Sequence, residues 1–177
     1  MLHSEYNLFG GEKIGFDVFR FENGKIVEHW DNLQPKPEAK NPSARSMTDG
    51  PTEIQDRDKT AANKALVQNL INDILVNGRM EKLAGYFDGD TYAQHNPQIG
   101  DGLSGLGKAL EAWAKQGITM KYEKTHLRLG EGNFVFAASE GTQGGKLTAF
   151  FDLWRVENGK IAEHWDVSCF LVWVSST

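Results

Sequence analysis

The chain has 177 residues, 40% of them hydrophobic, and a formal net charge of -5 at pH 7, enough for one full core plus an appendage. An acidic balance without a Lys/Arg cluster argues against nucleic acid or a membrane surface as partner. Cys169 is the only cysteine, which excludes an intrachain disulfide framework and a cysteine-built zinc site. No apolar run is long enough to span a bilayer, and Met1 to Glu5 lacks the charged and apolar regions of a secretory signal, so a cytoplasmic protein is the expectation.

In chain order, His3 to Gln34 reads as a pair or trio of strands with no helix before it. Within it, FDVFRFENGKIVEHWD, Phe16 to Asp31, returns as FDLWRVENGKIAEHWD, Phe151 to Asp166. At an offset of 135 the two sixteen-residue segments agree at twelve positions, and the four changes keep an apolar residue. The repeat extends upstream: Ser4-Glu5 and Gly10-Gly11 resemble Ser139-Glu140 and Gly144-Gly145, allowing a one-residue slip. Two or three strands with one apolar face are not stable alone. Residues 1–34 therefore read as the last part of a domain, whose strands dock on a complete one, in the same chain or a neighbour, and place a sheet against it.

Pro35 to Asp58 holds four of the five prolines and few apolar residues, and reads as a linker over 35–58. A complete unit follows over 59–168. Asp58 or Thr60 caps a helix whose Leu66, Val67, Leu70, Ile71, Ile74 and Leu75 share one stripe, ended by Asn77-Gly78. A short helix, Met80 to Phe87, turns Leu83, Tyr86 and Phe87 to the core. Pro97 keeps Asn96 out of the helical region, so His95 and Asn96 end a short extended segment. Ser104 caps a helix to about Gln116 with Leu106, Leu110 and Trp113 on one side. Four strands complete the unit: Met120 to Leu129, Phe134 to Glu140, Lys146 to Val156 and Ile161 to Ser168. Helices first and antiparallel strands afterwards indicate an α+β domain with helices on one face of a curved sheet. The tail 169–177 is either an added edge strand or a sequence unrelated to the domain's usual ending.

The second hairpin gathers two acids and a histidine. If Asn158-Gly159 forms a two-residue type I′ loop, Asp152 faces Trp165; if Glu157-Asn158 forms a type I turn with Gly159 as the bulge residue, Asp152 faces His164. The second register is favoured because it puts Phe150, Asp152, Trp154, Ala162, His164 and Asp166 on one face. Leu153, Arg155, Ile161, Glu163 and Trp165 then take the other. A carboxylate in a mostly apolar wall has its pKa raised, so this face is a plausible acid–base site.

Tyr-x-Gln-His-Asn-Pro at Tyr92 to Pro97, Asp101-Gly102 with Gly105, Ser139-Glu140-Gly141 and the hairpin together resemble the SnoaL-like polyketide cyclase family of the nuclear-transport-factor-2-like superfamily. The resemblance covers Asp58 to about Val167, and His3 to Gln34 as the end of a second copy. It implies a cone of curved sheet and helices around a pocket. It also implies aldol ring closure without metal or organic cofactor, with Asp152 as the acid–base group by position and His95, His164 and Asp166 as pocket residues. One departure is Ala138, where relatives often place a His and the partial copy has His3. The resemblance also implies a homodimer formed through the sheet, with Arg155, Glu163 and Trp165 on the face away from the pocket.

The candidate catalytic residues are thus Asp152, His164 to orient and tune it, and His95 to donate to a developing enolate oxygen with Asn96. Asn96, Trp113, Phe136, Trp154 and Asp166 are candidate substrate-binding residues. His126 gets no role. Nothing has helical His spacing, so a metal site is the weaker use of His95, His164, Asp152 and Asp166. Two functions stay open. One is a cofactor-independent acid–base enzyme acting on a small hydrophobic carbonyl compound by aldol cyclisation, isomerisation or dehydration, or a related epoxide hydrolase. The other is a non-catalytic binder of a small hydrophobic molecule or a dimerisation module.

Overall fold

The structure, a computed structural model, describes residues 1–8 and 10–171. Three strands, β1 (Leu2–Leu8), β2 (Gly11–Glu22) and β3 (Lys25–Pro35), form one antiparallel sheet. After a segment without regular structure, α1 (Thr60–Leu70) buries Val67 and Leu70, and a wider π-type turn over Ile71–Val76 brings Ile71 and Ile74 to the same core. Gly78, at φ +64, ends this run as Asn77-Gly78 predicts. A 3-10 helix (Met80–Tyr86) leads to β4 (Ala93–Gln94) and α2 (Gly102–Lys115). Ser104 lies inside the first turn of α2 rather than capping it: its N–H donates to Asp90 Oδ1 at 2.7 Å, so an acid from the preceding loop takes up the free amide.

The strands β5 (Met120–Glu131), β6 (Phe134–Gln143), β7 (Lys146–Glu157) and β8 (Lys160–Phe170) form a meander, and β4 adds to β8 in parallel, giving the order β4-β8-β7-β6-β5. On one face of this curved sheet, Val135, Ala137, Trp154, Val156 and Ile161 pack against α1, the π-type turn, Phe87 and Tyr92. The α+β class with helices on one face of the sheet is therefore as the sequence reads.

The β7–β8 turn is not the one favoured from sequence. Asn158 and Gly159 sit at φ +51 and +71, a two-residue loop with Glu157 opposite Lys160 and Val156 opposite Ile161. Both central positions of a type I′ turn need positive φ, which Asn tolerates and Gly adopts freely. A bulge follows at Ala162, after which Arg155 faces Glu163, Trp154 faces His164, Leu153 faces Trp165 and Asp152 faces Asp166. The extra residue restores the side-chain parity that the turn alone would have reversed. Asp152, Trp154, His164 and Asp166 thus share a face after all, while Ile161, expected on the other face, joins them.

The β2–β3 hairpin has the same construction: Asn23 and Gly24 at φ +51 and +75, a bulge after Arg20, and Asp17 opposite Asp31, Val18 opposite Trp30 and Phe19 opposite His29. His3 pairs with Phe16, and in the larger sheet Ala138 pairs with Phe151. This sheet lies on the helix-free face of the larger one. Ile14, Phe16 and Val18, with Met47, bury Phe136, Ala138, Phe151, Leu153, Trp165 and Val167. Buried Asn32 donates to the carbonyls of Ala149 (3.1 Å) and Val167 (3.0 Å). The face on which a homodimer was expected is occupied by the chain's own N-terminal strands.

The segment read as a linker does join the two sheets, but as a fixed strap. Asn41 Nδ2 donates to the carbonyls of Gln94 and Ile99, Arg45 pairs with Asp101 at 2.8 Å, and Trp165 Nε1 donates to the Asp49 carbonyl at 2.8 Å. At the other end β8 runs on to Phe170, paired with Thr148, so the tail begins as a continuation of β8; residues 172–177 lie outside the described residues. No helix among the described residues is long and apolar enough to cross a membrane.

Candidate active site

A cavity of about 550 Å³ lies between the helices and the helix-covered face of the larger sheet. Its wall is mostly apolar: Leu70, Ile74 and Leu83 from the helical half, Trp113 from α2, and Phe150 and Trp154 from β7. Its polar groups gather on one side, Asp152 on β7, His164 and Asp166 on β8, Gln94 on β4 with Asn96 just after it, and Tyr122 on β5.

Asp152 is 1% exposed and well supplied with donors. Tyr122 Oη approaches its two oxygens at 3.1 and 3.0 Å, and His164 Nε2 lies 3.0 Å from Oδ1. Tyr122 stacks on Phe150 at 4.2 Å, and its strand crosses β6 where Gly141 leaves room: a Cβ there would lie 2.0 Å from the Lys121 carbonyl oxygen. Burial, and then the charges of Asp152 and Asp166, push the Tyr122 phenol well above its ordinary value, so it stays protonated and donates. Burial also opposes charging of His164, but its hydrogen bond to Asp152 and the charges of Asp166 and Asp152 outweigh it and leave the imidazole pKa raised. The Trp154 ring stacks on it at 5.2 Å.

Asp166 differs from its cross-strand partner. Asn96 Nδ2 donates to its Oδ2 at 2.7 Å, whereas its buried Oδ1 has no hydrogen-bond partner among the described residues. Burial first, and the charge of Asp152 next among the raising influences, push its carboxyl above the usual range despite opposing contributions from His164 and Asn96.

Of the residues singled out from sequence, the cavity therefore brings together Asp152, His164, Asp166, Asn96, Trp113 and Trp154. It does not include His95 or Phe136. The chain alternates at β4, so Gln94 points into the cavity and His95 away from it. His95 Nε2 lies 2.8 Å from Glu163 Oε1, Nδ1 lies 2.8 Å from the Ser46 carbonyl and 2.9 Å from Asp49, and Trp165 stacks on the ring at 4.6 Å. The expected role of His95 at an enolate is accordingly withdrawn. It joins the strap to the sheet. Phe136 faces Phe16 and Phe151 in the core between the two sheets. Ala138 lies on that same face, so a His there would not reach the cavity, and its absence removes nothing from the site.

Glu163 is 3% exposed and also accepts from Arg155 Nε at 2.7 Å. Glu163→Ala would leave His95 and Arg155 facing a void, and a loss of about 3–5 kcal/mol is expected in denaturant unfolding. The cavity, on the other face, should keep its ligand affinity in the folded variant.

Sequence reasoning missed Tyr122, Gln94 and Glu163. In the N-terminal sheet Tyr6 Oη donates to Asp17 Oδ2, His29 Nε2 lies 2.7 Å from Asp17 Oδ1, and Phe19 stacks on His29 at 4.5 Å. The same three side-chain types meet, but on an open face: Phe21 and Ile26, at the positions of Val156 and Ile161, are 62% and 56% exposed. Among the described residues no three His, Cys, Asp or Glu side chains are grouped to hold a metal ion.

The sequence model of one protein family, described as the SnoaL-like domain, matches residues 67–164, more than half of the chain. Among solved structures, a presumed ketosteroid isomerase from Kribbella flavida aligns with a TM-score of 0.52 at 12% identity, over 67% of this chain and 86% of that one. A protein of unknown function with a cystatin-like fold from Xanthomonas campestris gives a TM-score of 0.50 at 22% identity, over 60% and 89%. A SnoaL-like polyketide cyclase from Agrobacterium tumefaciens gives 0.45 at 14% identity, over 60% and 91%. The first two likenesses concern the fold alone. None of the curated proteins matches the sequence.

Proposed function

The chain belongs to the SnoaL-like domain family, and from that membership and the chemistry of the cavity we propose that it is an acid–base enzyme, working without a cofactor, that moves a proton α to the carbonyl of a small hydrophobic molecule. The observation that carries this reading is Asp166 Oδ1, a buried carboxylate oxygen without a hydrogen-bond partner among the described residues, in a mostly apolar cavity. Asp152 was the first choice from sequence. Its oxygens are engaged by Tyr122 and His164, so its part is to hold charge beside Asp166, which makes Asp166 the stronger base.

In the aldol form of the reaction, Asp166 takes the α-proton, the C–H electron pair becomes the enolate, and the enolate carbon attacks a second carbonyl. Asp166 then returns its proton to the new alkoxide, so that nothing is gained or lost. Asn96, whose amide carries a second N–H besides the one given to Asp166, is the donor for developing oxygen charge, while the protonated Tyr122 stays on Asp152. Isomerisation and dehydration share the first step. The cavity's apolar wall excludes water from the enolate and favours uncharged cyclic or polyene skeletons over phosphorylated ones.

Incubating the purified chain with a panel of hydrophobic ketones and diketones in D₂O, followed by NMR, tests this directly. Deuterium should enter α to the carbonyl faster than in buffer, and Asp166→Asn should abolish the excess. Binding without exchange across the panel would mark a ligand carrier instead. Asp17→Asn serves as a control on the open N-terminal face: exchange there is expected to remain within about twofold of the parent, since general acid–base catalysis needs a substrate held within hydrogen-bond reach.

A further inference from the structure

Gln94 is 1% exposed and every polar atom of its side chain is engaged. Its Oε1 accepts from two backbone amides, those of His95 at 2.8 Å and Asn96 at 2.9 Å. Exchanging the amide oxygen and nitrogen would point an NH₂ group at two N–H donors, so the orientation of this side chain is set by the backbone itself. Its Nε2 therefore faces Tyr92 Oη at 2.6 Å and His164 Nδ1 at 3.1 Å. The pairing of β4 with β8, which puts Gln94 beside His164, supplies the register that makes this contact. The other ring nitrogen of His164 faces Asp152 Oδ1 at 3.0 Å.

We infer that Gln94 is a positioning residue that holds His164 in one neutral tautomer, with Nδ1 bare toward the amide and the proton on Nε2 directed at Asp152. Protonating Nδ1 would set an N–H against the Gln94 NH₂ group. Gln94 thus opposes the pull of Asp152 and Asp166, the two carboxylates facing the ring, toward an imidazolium. The consequence is that Asp152 receives a hydrogen bond from His164 without its charge being cancelled by a full positive charge. That charge is what strengthens Asp166 as a base. This last consequence rests on the proposed acid–base role of the cavity, whereas the tautomer does not.

The test is the long-range ¹H–¹⁵N spectrum of the His164 ring in the ¹⁵N-labelled full chain just above the ring's own titration midpoint, which the facing carboxylates raise, with Gln94→Glu alongside. The parent should show a protonated Nε2 and an unprotonated Nδ1. In Gln94→Glu one carboxylate oxygen still accepts from the His95 and Asn96 amides while the other becomes an acceptor at Nδ1. The ring should then carry both protons, and its titration midpoint should rise by about one pH unit or more, a tenfold gain in proton affinity. Should Gln94→Glu fail to fold, the parent spectrum decides alone. A parent ring protonated on Nδ1 would overturn the inference, as would a folded Gln94→Glu with unchanged tautomer and midpoint. If the tautomer is as stated and no ketone exchanges its α-proton, the acid–base reading fails while the role of Gln94 stands.

Discussion

Replacing Asp166 by Asn should lower turnover by roughly 10²–10⁴-fold, the usual contribution of a positioned general base. The amide keeps the shape and can still accept from Asn96, so folding is expected to survive and the loss to appear in kcat rather than in substrate affinity. The pH profile carries the same claim. A base works only when deprotonated, so kcat/KM in the parent should rise with pH through the Asp166 midpoint, which burial and the neighbouring Asp152 displace upward from the ordinary aspartate range. Asp152→Asn removes one of the raising influences, and the rising limb should move to lower pH with a slower plateau, because a weaker base is left. A rate that falls as pH rises across that range would assign Asp166 as an acid instead.

Removing residues 1–35 should have the largest effect on stability and association. Ile14, Phe16 and Val18 are almost fully buried against the larger sheet, and burying such side chains contributes about 1.5–3 kcal/mol each. Their sum is comparable with the whole stability of a typical domain. The deletion also bares Phe136, Phe151, Leu153, Trp165 and Val167 as one apolar patch. The shortened chain is therefore expected to unfold at markedly lower denaturant concentration and to pair with a second copy through this face, which light scattering across micromolar concentrations would detect. A shortened chain that is monomeric and equally stable would mean the sheet–sheet contact contributes little.

The periodic features were the legible ones. Helical spacing from Leu66 to Leu75 and the alternation of the four C-terminal strands led to the α+β layout, because a buried stripe or face repeats along the chain. The sequence puts Asp152, Trp154, His164 and Asp166 on the pocket face for the wrong reason, and it puts Ile161 on the wrong face. A type I′ turn and a bulge at Ala162 each shift the parity by one, and nothing in the residue types of Lys160 to Glu163 announces a bulge. His95 and Gln94 show the limit most clearly. They are neighbours in a polar motif, and the two-residue strand β4 decides which of them enters the cavity through its pairing with β8, a contact between residues about seventy positions apart. Tyr122 was hidden by the same cause, since it reaches Asp152 from a strand two removed in the sheet.

The most direct measurement is the carboxyl ¹³C titration of Asp166 in the folded, ligand-free chain. A midpoint above the ordinary aspartate value of about 3.9 is expected, moving downward in Asp152→Asn as one neighbouring negative charge is removed. A midpoint at or below 3.9, or one unaffected by Asp152→Asn, would contradict the pairing of a charge-holding Asp152 with a strengthened base at Asp166.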